Sequence, residues 1–136
     1  MYYLKLAEYE DTDTVVQLSK DLYNKSVYKN YFSFSEEVVS RNFHNSLTLP
    51  KEEFITIIVS SNEEPIGFLS GAVTKQSFSD EKMSLVLAFY SKEKVAARQL
   101  LKAYYFWAKK IGCKASMIAT LKDSKSVEEY KIKELN

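Results

Sequence analysis

The sequence predicts a single domain of the α/β class with a mixed α+β architecture, spanning residues 1–136. Short β-branched runs alternate along the chain with longer segments whose apolar residues recur at helical spacing, and this pattern is typical of mixed strands and helices. The composition is 46% hydrophobic and 27% charged, with only three Gly and two Pro. That balance favours one packed core over a disordered or low-complexity chain.

The first part of the chain predicts one strand and two helices. An alternating stretch over residues 2–8 predicts the strand, and apolar residues at helical spacing predict a helix over about residues 13–25. Ser33 and Glu36 stand at the spacing of a capping box and predict the start of a second helix, which ends before Pro50.

The second part predicts four strands and two helices. The strands are expected at residues 54–59, 66–73, 83–90 and 115–121. The clearest helical pattern lies between the last two of them and ends at Gly112, a C-terminal cap residue. A strand, a helix and a strand in succession predict a right-handed parallel crossover. The last fifteen residues predict one short helix that carries Val127, Tyr130 and Leu135.

Charge and hydropathy exclude two classes of partner. The chain has 19 Lys and Arg against 18 Asp and Glu, so it lacks the concentrated positive charge with which proteins bind nucleic acid phosphates. No apolar run is long enough to cross a bilayer. With a single cysteine, the chain has no internal disulfide, and we expect a cytoplasmic protein.

The residue counts also exclude several kinds of chemistry. One His and one Cys cannot form a zinc site of the usual kind, and we expect no metal. His44 stands in no catalytic motif and is expected on a helix surface, while Cys113 is expected to be a small buried side chain. The sequence also lacks the glycine patterns of nucleotide-binding loops.

Residues 78–90 and 96–112 carry the most specific pattern in the chain. A strand that ends at Tyr90 leads into an Ala-Ala-x-x-Leu-Leu-Lys-Ala helix that ends in Trp-Ala-x-x-x-Gly. With the element order, this resembles the GNAT family of acetyl-CoA-dependent N-acetyltransferases, and the helix is similar to that of many phage-encoded members. The resemblance covers about residues 2–130. It implies a GNAT-like fold, a central mixed and mostly antiparallel sheet flanked by helices, without the family's last two strands.

The resemblance also implies a site for acetyl-CoA. The coenzyme would lie where the fourth and fifth strands separate, with its phosphates at the start of the long helix. The residues implied to bind it are Leu87, Ala88, Phe89, Lys92, Lys94, Ala96 and Ala97. The implied catalytic residue is Tyr130, which would protonate the departing thiolate.

Three departures from the family bear on activity. The segment before the long helix contains no glycine and places Glu93 beside the phosphates. Val86 stands where the family often has a glutamate base, and the last two strands are missing. We therefore expect a phage-encoded protein with weakened or lost acetyl transfer and a binding or structural role, in a host cytoplasm or a virion. The alternative is an active N-acetyltransferase in which a primary amine attacks the thioester directly.

Aromatic side chains predict a partner surface. On the long helix, Tyr104 and Trp107 share the core stripe, so Tyr105 and Phe106 either form an exposed interface or are covered by flanking helices. The connector between the first two helices has further aromatics, which are Tyr28, Tyr31, Phe32 and Phe34. Together with the missing strands, they predict a protein partner or a homo-oligomer.

Overall fold

The computed structural model describes residues 1–121 and 128–135, and in this part of the chain six strands form one sheet. The strands are β1 (Tyr2–Leu6), β2 (Phe54–Ser61), β3 (Glu64–Lys75), β4 (Lys82–Ser91), β5 (Ala115–Leu121) and β6 (Glu128–Glu134). The α-helices are α1 (Thr12–Lys25), α2 (Glu36–Ser46) and α3 (Lys94–Lys110).

The sheet runs in the order β1-β2-β3-β4-β5-β6. Neighbouring strands are antiparallel except for β4 and β5, which are parallel and are joined by α3. The parallel pairing of the predicted crossover and the mixed fold class are confirmed.

Local signals in the sequence set the ends of several elements. The Ser35 side chain accepts a hydrogen bond from the Val38 N–H at 3.2 Å and caps α2, so the cap lies two residues after the predicted Ser33. Asn62 and Glu63 turn the chain between β2 and β3 with φ angles of 51° and 69°, as a two-residue hairpin turn requires. Gly112 follows α3 with a φ of 96°, which side-chain-bearing residues rarely adopt.

The core lies on both faces of the sheet. The α3 face is packed by α3 and includes Val59, Leu69, Val86, Leu100 and Tyr104. The α1 face is packed by α1 and α2 and includes Val15, Leu18, Phe43, Ile58 and Phe68. Burying both faces holds β3 and β4, the strands that lead to the candidate site, in fixed positions.

The end of the chain corrects one prediction. Where a short helix was expected, β6 pairs antiparallel with β5, and Tyr130 lies opposite Ala119. The backbone groups on the outer side of β5 need hydrogen-bond partners, and β6 supplies them. Val127 lies outside the described residues, and Leu135 is buried just after β6.

The aromatic residues of α3 divide as their spacing predicts. Tyr104 is fully buried, whereas Phe106 is 70% exposed. Trp107 is partly buried, and its Nε1–H donates to the Lys51 carbonyl at 2.8 Å. Tyr105 is partly covered, with Lys133 of β6 over its ring, so a strand rather than a helix lies against it.

Candidate active site

A crevice opens where β4 and β5 separate. Their pairing begins at Met83 with Ala115 and ends at Val86 with Ile118, although both strands continue beyond that point. In open sheets, ligands bind outside the carboxyl ends of parallel strands, where neighbouring elements diverge. The expected separation of the fourth and fifth strands is therefore present.

A β-bulge in β4 lies at the same point. Ser70 of β3 pairs with Ala88 and Gly71 pairs with Val86, so Leu87 is the extra residue on β4. Because the pairing with β5 has already ended, Leu87 has no partner on either neighbouring strand in the described part of the chain. Both ladders are therefore interrupted at this residue. Its side chain is 55% exposed.

Two cavities meet at the crevice, one on each face of the sheet. The α1-side cavity has a volume of about 360 Å³ and its lining includes Leu22, Lys25, Tyr28, Leu87, Phe89 and Ile118. The α3-side cavity has a volume of about 700 Å³ and its lining includes Phe89, Leu101, Tyr105, Ile118, Lys131 and Lys133. Phe89 and Ile118 line both cavities, so the crevice runs between the two cavities. Of the two cavities, the α1-side cavity is the one lined by Leu87.

The short segment between β4 and α3 is held by its own hydrogen bonds. The Lys92 N–H donates to the Ile66 carbonyl at 2.9 Å, and the Glu93 N–H donates to Ser91 Oγ at 3.2 Å. The Ser91 hydroxyl in turn donates to the Glu93 carbonyl at 2.8 Å. These two loop N–H groups are already used within the protein. An anion at this end of the sheet would therefore be held by the first turn of α3.

The first turn of α3 carries no side-chain cap from its N-cap residue. Glu93 is the N-cap residue, but its side chain makes no capping hydrogen bond. Instead, its carboxylate accepts a hydrogen bond from the Tyr2 hydroxyl, which raises the pKa of Tyr2. The first N–H groups of a helix have no intrahelical partner, and the helix dipole favours an anion beside them. Lys92 and Lys94 are exposed next to this turn.

The predicted cofactor residues lie around this crevice in different ways. Leu87 lines the opening, Ala88 packs on the α1 face, and Phe89 packs on the α3 face between the two cavities. Ala96 is fully buried in the core, so only its backbone is available to a ligand. Ala97 is partly buried in the same turn of α3.

Tyr130 stands on a strand rather than on the helix that its predicted role assumed. Its backbone is opposite Ala119, which lines the α1-side cavity. β6 therefore runs beside the crevice, and the role of Tyr130 as an acid stays a prediction.

The α1-side cavity has no carboxylate among its described lining residues, whereas Glu134 lines the α3-side cavity. Val86 is buried on the α3 face and cannot take a proton. The ionisable side chains among the described lining residues of the α1-side cavity are those of Lys25 and Tyr28. Chemistry at this site would therefore depend on positioning and on backbone donors.

His44 and Cys113 lie away from the crevice, His44 in contact with Thr12 and Tyr9 and Cys113 in the core. Thr12 Oγ1 donates to the Tyr9 carbonyl at 2.6 Å, so the His44 Nε2–H, 2.8 Å away, donates to Thr12. The imidazole also stacks on Tyr9 with ring centroids 4.6 Å apart. Cys113 is buried, and burial raises the pKa of its thiol. Neither residue lines the two cavities at the crevice.

Residues 1–121 and 128–135 contain neither an apolar helix of membrane-spanning length nor a metal-binding group of side chains. They contain no helix long and apolar enough to span a membrane. No group of three or more His, Cys, Asp or Glu side chains in them is arranged to hold a metal ion.

A cluster of buried hydroxyls lies on the paired part of β4 and β5. Ser84 and Ser116 are directly paired, and both lie beside the Tyr104 hydroxyl. None of the three hydroxyls makes a hydrogen bond of good geometry. Burial raises the pKa of Tyr104, and the two serines oppose that shift.

The Tyr104 ring fills the space above Gly71, where a Cβ would come within 2.6 Å of Tyr104 Cζ. The sequence offered one signal for this arrangement and for the bulge opposite it. A glycine inside a strand often marks a bulge or a close approach.

Solved structures share this fold. A GNAT family acetyltransferase from Staphylococcus aureus superposes with a TM-score of 0.70 and 15% identity, covering 94% of this chain and 93% of that one. An aminoglycoside 6'-N-acetyltransferase from Acinetobacter haemolyticus gives 0.71 and 16%, with 89% and 81% covered. The aminoglycoside N-acetyltransferase AAC(6')-Iy in complex with CoA gives 0.72 and 13%, with 88% and 77% covered.

The similarity to known proteins is found by comparing structures and not by comparing sequences. No family model matches the chain, and no curated protein sequence matches it. The likeness is one of architecture, and it extends over about nine-tenths of the chain. The chain therefore has the GNAT acetyltransferase fold.

Proposed function

We propose that this protein binds acetyl-CoA in the crevice between β4 and β5 and transfers the acetyl group to a primary amine. The observation that carries the proposal is Leu87, a bulge residue without a strand partner among the described residues, at the point where the two strands separate. Its backbone N–H is a donor held in place by the sheet. Such donors stabilise the charge that develops on a carbonyl oxygen during acyl transfer.

The residues around the crevice fit the parts of acetyl-CoA. The first turn of α3, with Lys92 and Lys94 beside it, would hold the phosphates. The apolar slot between Phe89 and Ile118 would hold the pantetheine arm. Tyr130, on the strand next to β5, remains the candidate for protonating the thiolate.

Acetyl transfer needs little acid or base from the protein. A deprotonated amine attacks the carbonyl carbon, the C–N bond forms and the C–S bond breaks. The amine loses its proton to solvent, and the thiolate gains one. Positioning the amine and the thioester together can supply much of the rate enhancement. The absence of a carboxylate among the described lining residues of the α1-side cavity is therefore compatible with catalysis.

Titration with acetyl-CoA, followed by thermal unfolding, tests the proposal. At a hundred times its dissociation constant, acetyl-CoA should stabilise the fold by about 2.7 kcal/mol. Lys92→Glu with Lys94→Glu should abolish the shift. Lys20→Glu with Lys102→Glu, the same change of charge at exposed positions of α1 and α3, should keep it. No shift in the wild type at millimolar acetyl-CoA would refute the proposal.

A second candidate is a GNAT-fold protein that has weakened or lost the reaction and serves as a binding or structural component, for example of a phage. The glycine-free loop favours it, because two of its N–H groups are already used within the protein. The outer edge of β6 pairs with no strand in the described part of the chain, so it could accept a partner or a second copy. Size-exclusion chromatography with light scattering tests this, and a stable monomer that binds and turns over acetyl-CoA would count against it.

A further inference from the structure

The wall of the α1-side cavity is mostly apolar. Leu22 comes from α1, Leu87 and Phe89 from β4, and Ile118 from β5. An amine that reaches Leu87, the bulge residue, through this cavity would pass along hydrocarbon and aromatic surface. Such a surface favours an acceptor with a bulky apolar or aromatic body.

Lys25 is the one charged side chain among the described lining residues of this cavity. It ends α1, and its Nζ lies 5.4 Å from the centroid of the Tyr90 ring. That cation–π contact holds the ammonium group near the cavity. Within residues 1–121 and 128–135, Lys25 forms no salt bridge. The cavity therefore offers a positive charge to an anionic group on a ligand.

The segment after α1 adds aromatic surface at the same opening. Tyr28 lines the cavity and is 52% exposed, and its ring lies 6.5 Å from that of Phe32. The Tyr23 hydroxyl donates to the Phe32 carbonyl at 2.5 Å and ties this segment to α1. Aromatic rings pack well against other rings in offset or edge-to-face geometry.

We propose that the acceptor is an aromatic amino acid, whose ring packs on the Tyr28 side of the cavity and whose carboxylate pairs with Lys25. This inference rests on the proposed function. The α-amine, once deprotonated, attacks the acetyl carbonyl beside Leu87, so the products are the N-acetyl amino acid and free CoA. A polycation such as sisomicin, which a structurally similar aminoglycoside acetyltransferase binds, would meet Lys25 and no carboxylate among the described lining residues of this cavity.

The test compares L-phenylalanine with 2-phenylethylamine, which has the same ring and amine but no carboxylate. The rate of CoA release gives kcat/KM for each in the wild type and in Lys25→Gln. The ratio of the two values cancels any effect of the change on acetyl-CoA. We expect the ratio to fall about two- to fivefold in Lys25→Gln, because an exposed ion pair contributes that much. Lys20→Gln, on the exposed face of α1, should leave the ratio unchanged.

Separate measurements distinguish this inference from the proposed function. Calorimetry with acetyl-CoA alone tests the crevice, and calorimetry with L-phenylalanine alone tests the acceptor site. Binding of acetyl-CoA with faster acetylation of sisomicin than of L-phenylalanine would overturn the inference and leave the proposed function intact. An unchanged ratio in Lys25→Gln would overturn it too. A loss of acetyl-CoA affinity in Lys25→Gln would assign Lys25 to the coenzyme and also overturn it.

Discussion

The two halves of the β4–β5 pair differ in how they are packed. From Met83 to Val86, β4 is paired on both sides, and the fully buried Tyr104 fills the space above Gly71 next to it. From Leu87 onward, β4 leaves β5, and two cavities take the place of the missing pairing. A single strand therefore passes from a packed core into an open site within two residues.

The packed half of the β4–β5 pair fixes the backbone that the open half presents to a substrate. A free backbone donor is useful in catalysis only if it is held in position before the substrate arrives. The bulge at Leu87 is fixed by ladder pairs immediately before and after it on β3. The closely packed half thus holds the backbone at Leu87 in place, at the point where β4 and β5 separate.

The largest loss of stability should come from removing the Tyr104 side chain, which packs the paired half of β4 and β5. Tyr104→Ala should lower the free energy of unfolding by about 3–5 kcal/mol, because it empties a fully buried aromatic position. Tyr104→Phe is the matched control. It should stay within about 1 kcal/mol of the wild type or be more stable, since the hydroxyl that it removes has no hydrogen bond of good geometry. Urea unfolding measures both, and an equal loss in the two variants would contradict the packing account.

A smaller loss should follow from filling the space that the ring occupies. Gly71→Ala places a Cβ against the Tyr104 ring and should cost about 1–3 kcal/mol by overpacking. In Tyr104→Ala the same change should cost much less, because the ring is gone. Additive losses in the double variant, measured by the same unfolding experiment, would show that the two residues do not share this space.

Two buried groups with raised pKa values, the Tyr104 hydroxyl and the Cys113 thiol, should make the free energy of unfolding fall at high pH. Burial raises the pKa of Tyr104 above its usual 10.0 and that of Cys113 above its usual 9.0. Both groups are protonated in the folded and unfolded chain below these values, so their contribution is constant there. As the pH rises further, the unfolded chain loses the protons first and stability falls. Urea midpoints from about pH 8 to about pH 11 should show a shallower fall in Tyr104→Phe than in the wild type, and identical slopes would refute this.

The smallest effect belongs to the open half. Lys92 and Lys94 are exposed, so their attraction for the coenzyme phosphates should be screened by salt. The dissociation constant of acetyl-CoA, measured by calorimetry, should rise severalfold between low and high salt. Lys92→Gln with Lys94→Gln should flatten this dependence, whereas Lys20→Gln with Lys102→Gln should leave it steep.

Local patterns in the sequence predicted most of the fold but not its last element. The terminating Gly112 and the β-branched runs each act within a few residues, so the end of α3 and β2 could be placed from them. The cap of α2 was predicted at Ser33 and lies at Ser35. The end of the chain depends on pairing with the distant β5, and spacing alone suggested a helix there. Non-local hydrogen bonding decided that β6 is a strand.

The candidate site was predictable to a different extent. The resemblance pointed to Leu87, Ala88 and Phe89, but the bulge that isolates Leu87 is a matter of register between two strands. Lys25 was missed because nothing local to α1 shows that its end lies beside Tyr90. The contact between Glu93 and Tyr2 joins residues far apart in sequence, and it could not be seen from the charge of the loop.

The most direct test removes the backbone N–H of Leu87 while keeping its side chain. Incorporating the α-hydroxy acid of leucine at position 87 replaces that N–H with an ester oxygen and keeps the side chain, and Leu87→Ala is the control for the side chain. We expect the ester variant to bind acetyl-CoA as the wild type does but to transfer the acetyl group about 10²- to 10³-fold more slowly, while Leu87→Ala stays active. An ester variant that transfers as fast as the wild type would show that the Leu87 N–H does not stabilise the developing charge.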